Sequence, residues 1–352
     1  MIRIARAVTV IGAALLLTTI LSGCGNNNES MLFSAVGSYG DIAVMTSRPD
    51  LYEAASPFFD RLNPEVSFVL KREDTYNIRH FTRQNWKDAR NYRNLIFLVR
   101  WGDGGPLEKE LKKLLSEKSL QRLTQGRGGV VTVFDPYFRN QQAIIAISTN
   151  RQVLLRTLNQ KAEDLAGTLR DGIHKRMIVD HRRDGIRTEL VDHLWQRHGF
   201  VLEIPRAFNE NQTEPDGFPG LEWLRTDGAT RGITLSWTEA EHPDRVLRNQ
   251  EALIAIRSDL GQNMHSEELI PASFQWSEDE LGGVPVTRLS GAWKSTKVSV
   301  GGPFWCYFIP DPASERVICI DLLVYGPDRE KMNDFRRLRA IAETFSLQQP
   351  QP

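Results

Sequence analysis

Three cysteines in 352 residues are too few for a disulfide framework, so the chain must rely on a packed core. Excess charge of one sign is missing as well, with 44 basic residues against 44 acidic. That balance gives no electrostatic footprint for nucleic acid. Catalytic signatures are scarce. The sequence holds no Gly-x-Ser-x-Gly elbow and no Ser-x-x-Lys. Gly104-Gly105 and Gly128-Gly129 are not followed by the Lys-Ser/Thr that completes a phosphate loop. His174 and His181 are seven residues apart, about 10.5 Å along a helix axis, too far to share one ion. No metal, no cofactor and no catalytic residue is expected from these patterns. Long apolar runs are absent too. The run from Ala7 to Leu21 has fifteen residues, broken by Thr9, Gly12, Thr18 and Thr19, short of the about 20 that cross a bilayer.

What is present at the start is an address. Arg3 and Arg6 precede the apolar run, and Leu21-Ser22-Gly23-Cys24 closes it. This is the layout of a secretory signal over residues 1–23, with a lipobox in place of an ordinary cleavage site. The Cys24 thiol would accept a diacylglyceryl group, and cleavage after Gly23 would free an amine for further acylation. One chain anchors only marginally, whereas two or three hold for long periods. The expected location is the bacterial cell envelope. Gly25 follows the cysteine where an Asp would signal inner-membrane retention, which points to the outer membrane, facing the periplasm or surface. The mature chain would have 329 residues (352 minus 23), with 42 basic (44 less Arg3 and Arg6) against 44 acidic. Residues 24–38, with Asn26-Asn27-Asn28, read as a short polar tether.

The body reads as mixed α and β. Leu51, Ala54, Ala55, Phe58, Phe59 and Leu62 recur at helical spacing, and Leu154, Leu158, Leu165, Leu169 and Ile173 make a longer stripe. Leu95 to Val99 and Ala143 to Ile147 are continuous apolar runs suited to buried strands. Beyond Gly199 strand patterns dominate: Phe200 to Pro205, Trp223, Gly232 to Trp237, Phe274 to Trp276, Val284 to Leu289, Phe304 to Ile309 and Val317 to Tyr325. A helix over about 246–260 interrupts them, and a last helix spans about 329–345. The expectation is an α+β fold of two lobes, 39–198 and 199–348, each a mainly antiparallel sheet with helices on a face. The element order of the second lobe resembles the PsbP/Mog1-like shape.

Several short motifs carry a family resemblance. They are Asn63-Pro64-Glu65, Arg93-Asn94-Leu95-Ile96, Phe134-Asp135-Pro136 with Gln141-Gln142, Glu222-Trp223-Leu224-Arg225, Gly301-Gly302-Pro303-Phe304 and Tyr325-Gly326-Pro327. The chain resembles the bacterial lipoproteins grouped as domain of unknown function 4837. Ser290-Gly291-Ala292 stands ahead of Trp293 where the family pattern has an Arg-Gly pair. The resemblance implies an exported lipoprotein and brings no catalytic residue with it.

Four local clusters have two readings each. Gly301, Gly302 and Trp293 suit a surface where backbone approaches a partner or ligand, or a tight bend entering a strand. Cys306 and Cys319 flank a turn at Asp311-Pro312-Ala313-Ser314. With Pro312 and Ala313 central, Ile309 faces Arg316 and Cys306 faces Cys319, so the pair reads as a cross-strand disulfide or as two buried thiols. Glu239, Glu241, His242 and Asp244 read as cation ligands, or as a solvated loop with Asp244 capping a helix. Arg79, His80, Arg83, Lys87, Arg90 and Arg93, interleaved with Phe81, Trp86 and Tyr92, read as a site for phosphate-bearing lipid or an acidic partner, or as a solvated basic face. The functional expectation is a non-catalytic envelope component that binds membrane lipid through Cys24 and a protein, glycan or lipid through its body. The alternative is an envelope-acting hydrolase.

Overall fold

The computed structural model describes residues 33–68, 71–82, 84–125 and 128–349. Leu21, Ser22, Gly23, Cys24 and Arg83 lie outside these described residues.

Three strands without a polar face organise the first lobe. β1 (Asp41–Thr46) sends Ile42 and Val44 to one side and Ala43 and Met45 to the other, all fully buried. The short hairpin β2 (Glu65–Phe68) and β3 (Lys71–Asp74) follows, then β4 (Asn77–Phe81), β5 (Asn94–Arg100), β6 (Gly129–Phe134) and β7 (Gln142–Ser148). The sheet order is β4-β1-β5-β7-β6. Helices α1 (Pro49–Ala54), α2 (Ser56–Leu62), α6 (Arg151–Gln160) and α7 (Ala162–Asp184) cover one face. The shorter α3 (Trp86–Ala89), α4 (Pro106–Leu114) and α5 (Glu117–Thr124) cover the other.

The α+β class and the two lobes stand, but strand direction in this lobe differs from expectation. β4, β1, β5 and β7 run parallel, and only β6 pairs antiparallel with β7. The physical reason lies in the apolar runs themselves. Residues 95–99 and 143–147 are buried on both faces, which parallel sheets require because their crossover helices lie on both sides. The inserted hairpin and the four-residue α3 disturb the strand–helix alternation that would otherwise have announced it.

The second lobe is one antiparallel sheet of seven strands. In chain order these are β8 (Asn209–Thr213), β9 (Gly220–Thr226), β10 (Thr230–Glu239), β11 (Glu267–Leu281), β12 (Val284–Ser295), β13 (Gly301–Asp311) and β14 (Arg316–Tyr325). They lie in the order β11-β12-β13-β14-β10-β9-β8. Alternation sorts their side chains. Trp223, Ile233, Trp305, Tyr307, Ile320 and Leu322 face a core closed by α8 (Thr188–His198) and α11 (Met332–Ala342). Phe304, Cys306, Phe308, Val317 and Cys319 face α10 (Gln250–Leu260), which follows the single turn α9 (Pro243–Val246). Leu190 and Leu194 on α8 pack in this second core, so the packing boundary precedes Thr188 and not Gly199. Residues 200–205 form no ladder; Phe200, Leu202 and Ile204 are buried in an extended segment with isolated bridges from Val201 to Ser346 and from Pro205 to Ile186.

Helix α11 belongs to both lobes. Phe335, Leu338 and Ile341 enter the second core, while Ala340 enters the core around α7. Polar contacts reinforce the seam. Asn333 accepts from Ser38 at 2.9 Å, Arg336 donates to the Thr75 carbonyl, and His174 lies 3.4 Å from Glu343.

Candidate functional site

Parallel sheets bind ligands beyond the carboxyl ends of their strands, where the connections diverge to opposite sides. Here that point lies between β1 and β5, beside the glycine loop 102–105. The loop's anion-accepting amides are already taken. Glu108 on α4 accepts from the backbone N–H of Gly102 and of Gly104, each at 2.9 Å. The chain's own carboxylate therefore sits where a phosphate would, and this crevice is closed to one.

A groove of about 720 Å³ opens on the second lobe. Asp244, Leu247, Arg248 and Gln250 form its helical bank, and Trp276, Ser277, Glu278 and Thr287 form the opposite bank on β11 and β12. Trp276 and Leu247 rest against the core beneath α10, so the ring is held in place while polar groups flank it. Asp244 does not cap a helix as expected. The Asn249 side chain caps α10 by accepting from Ala252 at 3.2 Å, because α9 ends at Val246 and a new helix starts at Gln250. Asp244 is left exposed in the wall of the groove. Among the described residues, His, Cys, Asp and Glu form no group of three that could hold a metal.

Beneath α10 a polar streak crosses the inner sheet face. Arg257, fully buried, donates to Asp321 at 2.8 Å and to Glu267 at 2.9 Å, and it lies over the Phe304 ring at 4.6 Å. Gly261 makes room for it; a Cβ there would come within 2.6 Å of the Arg257 Nη1. A π-turn over Gly261–His265 then returns the chain to the sheet. His265 reaches Glu222 at 3.1 Å and Thr234 at 3.2 Å, and Asn211 also donates to Glu222. Burial raises Asp321 and Glu222 each to about 7 and lowers His265 to about 3. The His265–Glu222 contact is thus a neutral hydrogen bond between about pH 3 and pH 7, because burial drives both partners from their charged forms. Burial also lowers the Arg257 pKa, but Asp321 and Glu267 outweigh it and the guanidinium stays charged.

Cys306 and Cys319 lie at the end of this streak. The register is two residues from the expected one: Cys306 opposes Asp321, and Cys319 opposes Phe308. The turn is longer because a 3₁₀ turn over Pro312–Ser314 is followed by Glu315 at φ 49°. A shift of two keeps both side chains on one face, so the sulfurs meet diagonally at 2.8 Å as free, fully buried thiols. Burial raises the Cys306 thiol well above its ordinary value, with Cys319 adding to the effect. Trp293 opposes Gly302 and Lys294 opposes Gly301 within the β12–β13 ladder. Trp293 is buried, and a Cβ on Gly301 would meet its carbonyl at 2.5 Å. Both glycines are therefore accounted for by packing inside the sheet.

The basic stretch 79–93 is largely absorbed by the first lobe. Arg90 lies over Trp86 and Tyr137, and Arg93 lies over Tyr39 and pairs with Asp180 at 3.6 Å. The groove escaped sequence reading because its banks come from segments about thirty residues apart, neither with a pattern beyond ordinary strand and helix spacing.

Among solved structures the chain is similar to a protein of Bacteroides thetaiotaomicron (10% identity, TM-score 0.28, 43% of this chain and 45% of that one). It is also similar to the Ran-binding protein Mog1p of Saccharomyces cerevisiae (10% identity, TM-score 0.30, 42% and 90%). A third is LpqN of Mycobacterium tuberculosis, involved in cell envelope biogenesis (18% identity, TM-score 0.28, 42% and 82%). The chain spans less than half the length of the first of these. No curated protein matches it. Residues 187–344, the second lobe with α8 and α11, match the family model of a domain of unknown function (DUF4837).

Proposed function

We propose that the protein is a lipid-anchored, non-catalytic binding component of the bacterial cell envelope, with the groove between α9–α10 and the β11–β12 strands as its docking surface. The groove carries this reading. It offers one seated aromatic ring, Trp276, among exposed hydrogen-bonding side chains, Asp244, Arg248, Gln250 and Glu278, the mixture that suits a polar partner. The groups with strongly shifted acidity, Asp321 and Glu222, are sealed beneath α10 and do not line it. The anchor is the acylated Cys24, supported by the signal-like segment before it.

A photo-crosslinker at Gln250 in intact cells should capture one partner in high yield, while the same group at Lys118 on the first lobe should not. Equal capture from both positions, or none from Gln250, overturns the docking surface. Cys24→Ser should release the protein from membranes; a variant that still pellets with them removes support for the anchor.

A further inference from the structure

A second cavity, of about 60 Å³, lies where the two lobes meet. The end of α7 contributes His181 and Asp184, and Arg225, Arg231 and Arg337 come from β9, β10 and α11. We propose that this cavity is an oxyanion site that takes a single phosphoryl group.

The argument begins with Arg231. Its side chain is 3% exposed, and its Nε has no hydrogen-bond partner. A buried guanidinium N–H left unpaired is costly and calls for an acceptor. Nη1 donates to Asp334 at 3.4 Å, and Nη2 lies against Asp227 but, like Nε, has no hydrogen-bond partner. Asp334 is itself held by Arg329 at 3.1 Å, and Asp227 by Arg225 at 2.6 Å. The two carboxylates therefore orient the arginines without quenching the cavity. Arg337 makes no hydrogen bond or ion pair within the structure's described residues; it is exposed and free to close on a ligand. Burial lowers His181, and Arg337 and Arg225 lower it further, so the imidazole is a neutral donor or acceptor beside the arginines.

Charge and size set the ligand class. Three arginines (Arg225, Arg231, Arg337) and one carboxylate (Asp184) line the cavity, with Arg329, Asp227 and Asp334 behind them, so the net charge is positive and suits an anion. The cavity has room for about four waters, comparable to a phosphoryl group. Asp184, the one carboxylate in the wall, disfavours a second negative charge, and Pro205, Ala207 and Phe208 offer an apolar side for a substituent. A phosphodiester fits these terms, whether on a lipid headgroup or on a soluble ester; inorganic phosphate shares the group.

The test is titration calorimetry of the full chain in detergent with inorganic phosphate and with dimethyl phosphate, repeated on Arg337→Ala. Saturable binding of at least one probe is expected, weakened at least about tenfold in Arg337→Ala with an unchanged unfolding midpoint. Binding of dimethyl phosphate alone identifies a diester of the lipid type; binding of both identifies the phosphoryl group as sufficient. The Arg231 Nε–H resonance should shift on binding, which reports contact independently of the variant. Neither probe saturating, or equal affinity in Arg337→Ala with no shift at Arg231, overturns the site.

Discussion

Glu73 caps the helix that begins at Met332. Its Oε2 accepts from the backbone amides of Lys331 and Met332 at 2.8 and 2.9 Å, so a strand of the first lobe's hairpin closes the N-terminus of a helix from the end of the chain. Phe68 on the same hairpin stacks on Phe335, with ring centroids 5.4 Å apart. Glu73→Ala leaves two half-buried donors without their carboxylate and should cost about 1–2 kcal/mol. Urea unfolding checks this, and an unchanged midpoint would show that water replaces the carboxylate without loss.

Arg257 and Asp321 are both fully buried. Removing one partner of such a pair strands the other's charge, so Arg257→Met should cost about 3–5 kcal/mol at pH 8. Adding Asp321→Asn should recover part of that loss, because it removes the stranded carboxylate. Identical stability of the single and double variants would count against this account.

Glu222 sets a pH dependence of unusual sign. Its pKa rises from 4.5 to about 7 on folding, chiefly through burial. Between these values the folded chain holds a proton that the unfolded chain has released, so this group's contribution is full at low pH and is lost as pH rises through 7. Glu222→Gln should therefore gain on the wild type by about 3 kcal/mol at most above pH 7 and by much less at pH 4.5. Unfolding free energies at the two pH values decide it; a difference independent of pH disproves the assignment.

Gly302 has no space for a methyl group. A Cβ there would sit 2.7 Å from the Val324 carbonyl oxygen, a backbone atom that cannot swing aside. Gly302→Ala should lower stability by about 1–3 kcal/mol, seen in the thermal midpoint. If stability holds and only partner binding falls, the glycine serves a surface and not the sheet.

Much of the architecture was legible where burial leaves a period. The helical stripe from Leu154 to Ile173 and the strands ending in Phe304 to Ile309 and Val317 to Tyr325 occur as read. Direction and register were not legible, for reasons those residues show. A strand buried on both faces, such as Leu95 to Val99, has the same local pattern whichever way its neighbour runs. The Cys306–Cys319 offset depends on a turn geometry set by Glu315 at positive φ, a conformation that glutamate rarely announces. The cavity around Arg231 draws on α7, β9, β10 and α11, and its arginines look in sequence like ordinary surface charge.

The position of α11 makes the two cores depend on one another. Ala340 completes the first lobe's core, and Phe335 and Leu338 complete the second. Neither core is closed without this one helix. A chain truncated before Met332 would have two open cores, not a shortened protein.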